Sequence, residues 1–339
     1  SLVTVTGGFM NAPALLILLL LTLILIKGTQ ESAMVNGIIV FIKVAIVLVF
    51  IAIGFQFINS DNYTPYMIPK GVVGHEGIFE YGWGGVLGGA AIVFFAFIGF
   101  DAVSTAAQEA KNPKRDMPIG ILGSLAICTV LYVLFSYVLT GVANWQDFAD
   151  PTKGKEASVA YAITTYMPGY GWLATSVTVA ILAGFSSVIL VMLLGQSRVF
   201  YSMSNDGLLP GVFAQLHPKF RTPYKSNWIL FLFVGAFAAF VPGSVAGDLT
   251  SFGTLFAFVL VSAGVWMLRR TNPELKRPFK TPLVPIVPIL GVLVCGGMII
   301  SLDSTTLRVA LGWMILGILL YFGYGSKKSK LRRGAHGKS

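Results

Sequence analysis

Lys43 and Asp101 are the two ionisable side chains that fall deep inside apolar stretches of this 339-residue chain. A charge at the centre of a membrane helix costs about 2.5–3.5 kcal/mol on insertion scales, so one cation and one anion held at depth are expected to serve a purpose. Burial disfavours the charged form of such groups. The chemistry open to an amine and a carboxyl there is therefore the gain and loss of protons. Other chemistries find no footing. Cys128 and Cys295 lie in apolar runs, where a thiol packs as a small hydrophobe. His75, His217 and His336 are isolated from one another and offer no ligand cluster, so neither a disulfide framework nor a metal site is expected. No catalytic constellation and no cofactor are expected.

The elements that must hold these two groups are membrane helices. The chain is 55% hydrophobic and 11% charged, whereas a soluble domain carries about 25% charged residues. Too little polar surface exists to face water on all sides. Nine apolar stretches, at 9–26, 36–58, 87–108, 118–142, 171–197, 228–243, 251–268, 282–301 and 308–325, approach the roughly 20 residues needed to cross a bilayer. They predict an all-α, multi-pass integral membrane protein. Of 24 Lys and Arg residues, 19 fall in alternate connecting segments that begin at Lys27 and end in the basic tail. The opposite side carries Lys70, Lys153, Lys155 and Arg308. Such a bias predicts a cytoplasmic C-terminus. It also reads the net charge of +10 as a topology signal, so no nucleic-acid partner is expected. Ser1 would then start outside, directly before a span and with no signal-peptide pattern. That leads to the expectation that helices preceding Ser1 are missing.

Within the third stretch, FFAFIGFD (Phe94 to Asp101) sets Gly99 among large aromatics and closes on the acid. Glycine weakens helix interiors, and backbone freed at membrane depth is tolerated where it lines a cavity. An interrupted helix is expected here. A basic turn follows, QEAKNPKRDMP, in which Pro113 and Pro118 are expected to stop one helix and start the next.

FIGFDAVSTAAQEAKNPKRDMPIGI resembles the sixth span and following loop of the amino acid–polyamine–organocation superfamily of membrane transporters. GQSRVFYSMSNDGLLP with FAQLHPKFRTP resembles the loop after the eighth span of that superfamily. RRTNPELKRPFKTPLVPIVP resembles its loop between spans ten and eleven, and this stretch and GTQESAMVN are closest to the cationic amino acid transporter branch. The resemblance covers nearly the whole chain and makes it similar to spans four to twelve of an expected twelve, without the first three. It implies a leucine-transporter-type inverted-repeat fold. Residues 1–86 would hold the last two helices of the first repeat with an external loop, and 87–270 the second repeat. Two peripheral helices would follow at 271–325, and a basic cytoplasmic tail at 326–339.

Residue roles follow from the same resemblance. Phe95 takes the place of the aromatic that stacks on substrate, while Phe95, Ala96 and Ile98 offer carbonyls beside Gly99 to the substrate ammonium. Met192 faces the substrate side chain where cationic relatives have serine, and would favour smaller or neutral side chains. Lys43 places an ammonium where sodium-coupled members hold a cation, next to the hydroxyls of Ser186 and Ser187. Asp101 is the second proton-coupling group. The implied function is a proton-coupled symporter for a small neutral or cationic L-amino acid, monomeric in the cell membrane, with the lipid bilayer as its surroundings. An exchanger without proton coupling and a non-transporting amino acid sensor are the alternatives.

Overall fold

A long apolar stretch leaves the backbone one local way to satisfy its N–H and C=O groups away from water, the α-helix. A computed structural model describes residues 12–28, 33–71, 78–100, 112–149, 158–241, 243–277 and 279–326. Among these residues every regular element is helical. The α-helices are α1 (Ala12–Lys27), α2 (Ala33–Gly54), α3 (Gly82–Val93), α4 (Pro113–Val142), α5 (Trp145–Ala149), α6 (Val159–Tyr166), α7 (Gly171–Asn205), α8 (Tyr224–Phe240), α9 (Gly243–Thr271), α10 (Ile286–Ile300) and α11 (Ser304–Leu320). Five of them, α2, α4, α7, α9 and α11, are long and apolar enough to cross a membrane. Shorter apolar helices occupy Ala12–Lys27, Gly82–Phe97, Tyr224–Phe240 and Ile286–Ile300. Among the described residues, five of the nine apolar stretches thus correspond to membrane-length helices, and the other four overlap apolar helices too short to count as full spans.

One boundary differs from expectation. Pro118 does not start a helix but lies inside α4, which begins at Pro113. The Asn112 carbonyl accepts the N–H groups of Arg115 and Asp116 at 3.0 and 2.9 Å. The Asp116 carboxylate in turn accepts the Asn112 N–H at 3.2 Å. With its first turn closed this way the helix already exists at Pro118, whose missing N–H costs a single intrahelical bond.

The chain forms two compact units, interleaved in sequence: Ser1–Thr29, Trp83–Pro118 and Leu190–Ser339 make one, Gln30–Gly82 and Ile119–Ile189 the other. In the smaller unit, Phe50 and Ile51 of α2 pack with Val138 and Val142 of α4, Ile163 and Met167 of α6, and Leu173, Ala174 and Val177 of α7. Lipid chains are as apolar as leucine, so close packing and small residues, rather than escape from water, drive helices together. Gly54 is such a residue: a Cβ there would lie 2.5 Å from Val138 Cγ1. In the larger unit, Leu18, Leu21 and Leu25 of α1 meet Leu190 and Leu193 of α7, flanked by Phe231 and Val234 of α8. A second cluster there joins Ala91 of α3, Phe252 of α9, Leu302, and Ala310 of α11. Glycine again permits close approach, since a Cβ on Gly291 of α10 would lie 2.7 Å from Ser262 Oγ of α9. Outward surfaces carry side chains such as Leu16, Val133, Leu182 and Leu319, each more than half exposed. A surface like that suits lipid.

Candidate functional site

In the larger unit, α3 does not continue as a helix. After Val93 the backbone tightens into a 3₁₀ turn over Phe94–Phe97, and Ile98 leaves it in an extended conformation (φ −62°, ψ 132°). Gly99 follows at φ +122°, a conformation that L side chains rarely adopt. A Cβ on Gly99 would also lie 3.1 Å from the Met192 methyl. The backbone is what calls for glycine here; the flexible end of Met192 would need to give by only a few tenths of an ångström to admit a Cβ. The interruption expected from FFAFIGFD is present, and the structure brings two of the sequence-derived site residues, Gly99 and Met192, into contact.

Phe95 stands half exposed at 52%, on the 3₁₀ turn beside Ala96. Its carbonyl accepts the Ile98 N–H at 3.2 Å, which leaves one lone pair for a further donor. Asp101 lies outside the described residues.

In the smaller unit, α2 carries Lys43 and α7 carries its partner. The Lys43 ammonium donates to the Gly184 carbonyl at 3.3 Å. Gly184 gives this arm room, since a Cβ there would lie 2.9 Å from Lys43 Cε. Alongside is a cavity of about 310 Å³, walled by Ile46, Val47 and Phe50 of α2, Phe135 of α4, Val159 of α6 and the 177–188 stretch of α7. Lys43 is the one charged side chain among its lining residues. Ser186 and Ser187 do not line the cavity. Ser186 Oγ donates to the Leu182 carbonyl on its own helix at 3.0 Å. At about 100° per residue, Ser186 points away from the Gly184 face, while Ser187, three residues on, returns to it.

Two residues escaped the sequence reading. Gly184 has no signature of its own, because a span glycine that receives a lysine looks like any packing glycine. Phe258 of α9 lies edge-on to Phe94, with ring centroids 5.9 Å apart; nothing in its periodicity distinguishes it from a packing phenylalanine.

The chain matches the family model for amino acid permeases over residues 5–322. It is 41% identical to the branched-chain amino acid permease BcaP of Bacillus subtilis (strain 168) over 328 residues, which are 97% of this chain and 67% of that protein. A methylthioribose transporter of the same organism is 38% identical over 330 residues, 97% of this chain and 68% of the relative. The vacuolar cationic amino acid transporter 4 of Arabidopsis thaliana is 33% identical over 268 residues, 79% of this chain and 42% of the relative. All three are named as carriers, none as an enzyme. A lipid-suited surface, five membrane-length helices and a family match over nearly the full length converge: the chain belongs to the amino acid permease family of the amino acid–polyamine–organocation superfamily, as an integral membrane protein and not an enzyme.

Proposed function

We propose that the chain is the core of a proton-coupled amino acid symporter of the cell membrane that works by alternating access, its substrate a neutral L-amino acid of branched-chain size. The observation that supports this best is the interruption of α3 at Phe94–Gly99. Broken helices at membrane depth supply carbonyls and half-helix ends to the charged groups of a solute. On this reading Phe95 stacks over the substrate, and Phe95, Ala96 and Ile98 receive its ammonium. The Met192 methyl, which packs on Gly99, lines the side-chain pocket. An apolar thioether there favours an aliphatic side chain over a cationic one, in keeping with the branched-chain relative.

Coupling is assigned to Lys43 and Asp101. Lys43, on a helix carbonyl beside an apolar cavity, would exchange a proton where other carriers of this architecture bind a metal cation. Ser187, on the Gly184 face, is the nearer of the two hydroxyl candidates to that role, with Ser186 behind it. Residues 87–270 are taken as the second of two inverted repeats, 271–325 as peripheral helices, and 326–339 as a cytoplasmic tail of a monomer.

Uptake by the protein reconstituted in liposomes tests this. An inward proton gradient should drive accumulation of L-leucine in preference to L-lysine, and Lys43→Ala should abolish the drive. Uptake that appears only with amino acid loaded inside would make it an exchanger. Thermal stabilisation by amino acids without flux would make it a sensor. The methylthioribose relative favours one further substrate, a neutral thioether sugar. Accumulation of methylthioribose without leucine would replace the amino acid reading.

A further inference from the structure

Rings on both sides of the break in α3 meet a single ring on α9. Phe94, which opens the 3₁₀ turn, lies T-shaped to Phe258 with centroids 5.9 Å apart and planes at 87°. Phe100, just beyond Gly99, lies 5.5 Å from the same ring with planes at 48°. A continuous helix could not arrange this. Six residues of α-helix advance about 9 Å and turn through about 240° net, which would send the two rings to different faces, far apart along the axis. Because the chain is extended at Ile98 and turns at Gly99 through φ +122°, both rings converge on one partner. Phe258 therefore makes its pair of contacts only with the interrupted form.

We propose that Phe258 is a positioning residue: it grips one ring from each side of the break, holds the α3 segment in its interrupted conformation, and so keeps the substrate site formed before substrate arrives. The second half of this statement rests on the reading of the break as a substrate site; the grip itself does not. Edge-to-face and offset ring pairs are each worth roughly a two- to tenfold bias in an equilibrium. Removing Phe258 removes both pairs at once, whereas removing Phe100 removes one.

The test is amide hydrogen exchange of the segment 94–100 in the full chain, purified in lipid nanodiscs, for wild type, Phe258→Leu, Phe258→Ala, Phe258→Tyr and Phe100→Ala. Leucine keeps most of the apolar bulk, so a folded protein is expected from that variant even if alanine fails. Exchange at 97–100 should fall severalfold in Phe258→Leu, as the released segment closes toward continuous helix and its amides gain partners four residues back, fall less in Phe100→Ala, and stay as in wild type in Phe258→Tyr. In the Phe258→Leu background, Phe100→Ala should add little. Unchanged exchange in Phe258→Leu, or equal exchange in the leucine and tyrosine variants, overturns the proposal. A companion uptake measurement with L-leucine should show the half-saturation concentration raised severalfold in Phe258→Leu, with the maximal rate much less affected and tyrosine restoring both. A rate loss at constant half-saturation would overturn the link to the substrate site. A wild type that carries no amino acid would sink the transport reading and leave the exchange result to decide the grip by itself.

Discussion

Replacing Gly184 with alanine probes the seat of Lys43 most directly. The added Cβ would lie 2.9 Å from Lys43 Cε, 3.3 Å from Nζ and 3.5 Å from Cδ. The first of these is closer than carbon atoms approach, so the end of the lysine must swing away. Its ammonium then leaves the Gly184 carbonyl, now 3.3 Å distant. A hydrogen bond from a charged donor contributes about 1.5–3 kcal/mol, and the length of this one places it at the low end. Against that loss, alanine in place of a mid-helix glycine gains about 0.5–1 kcal/mol. The balance leaves Gly184→Ala less stable by roughly 0.5–1 kcal/mol. In a Lys43→Ala background nothing obstructs the methyl group, and only the helix gain remains. The same substitution should then stabilise by about 0.5–1 kcal/mol. The predicted signature is a reversal of sign. Reversible unfolding in mixed micelles, followed by tryptophan fluorescence for the four proteins of the double-mutant cycle, reads it directly. Gly184→Ala should also lower proton-driven uptake toward the level of Lys43→Ala. An effect of equal sign and size in both backgrounds would mean that Lys43 does not rest on Gly184, and the coupling assignment would lose its geometric basis.

Three further outcomes follow from the structure. At Gly141 of α4, the phenolic oxygen of Tyr63 fills the space a Cβ would need, with Tyr63 Cζ at 2.9 Å and Ile58 Cγ2 at 3.0 Å. Gly141→Ala should displace the Tyr63 ring, which stacks on Tyr137 at 5.0 Å and donates to its carbonyl at 2.9 Å. A loss of about 1–3 kcal/mol is expected, seen as a lowered unfolding midpoint that Tyr63→Ala largely abolishes as an increment. Gly99→Ala should cost about 1–3 kcal/mol from backbone strain alone. Met192→Ala would restore only the part due to the 3.1 Å contact, a split that unfolding and uptake measured together would expose. Asp303 caps α11 by accepting the Thr305 N–H at 2.7 Å. The Thr305 hydrogen bonds hold its carboxyl below the ordinary value of 3.8. A carboxyl depressed in the folded state contributes stability above its unfolded value, and the contribution is lost as pH falls through the folded value. Below about pH 4 the wild type should therefore lose stability relative to Asp303→Asn, which caps without titrating; pH-dependent unfolding of the two proteins checks this.

Helices were legible in the sequence because each apolar stretch states its own solution: a backbone in lipid must bond within itself. The stretches at 36–58, 118–142, 171–197, 251–268 and 308–325 correspond to the five membrane-length helices. The break in α3 was legible for the same local reason, since Gly99 among aromatics marks a place where a helix is weak. Boundaries set by hydrogen bonds between side chains and backbone were not. Asn112 and Asp116 carried α4 back past Pro118, and no apolar period announces that.

The site divides along the same line. By itself, the sequence determined that a lysine and an aspartate fall within apolar stretches, that one such stretch carries a glycine among large aromatics, and which family these features belong to. Residue type and local spacing suffice for all three. Only the tertiary structure decided that Lys43 rests on Gly184, 141 positions along the chain, that Met192 seals Gly99, and that Phe258 touches the chain on both sides of the break. Those pairings depend on which faces of separate helices come together. Between helices in lipid, that choice is made by small-residue packing spread over whole surfaces, which no single stretch of sequence contains.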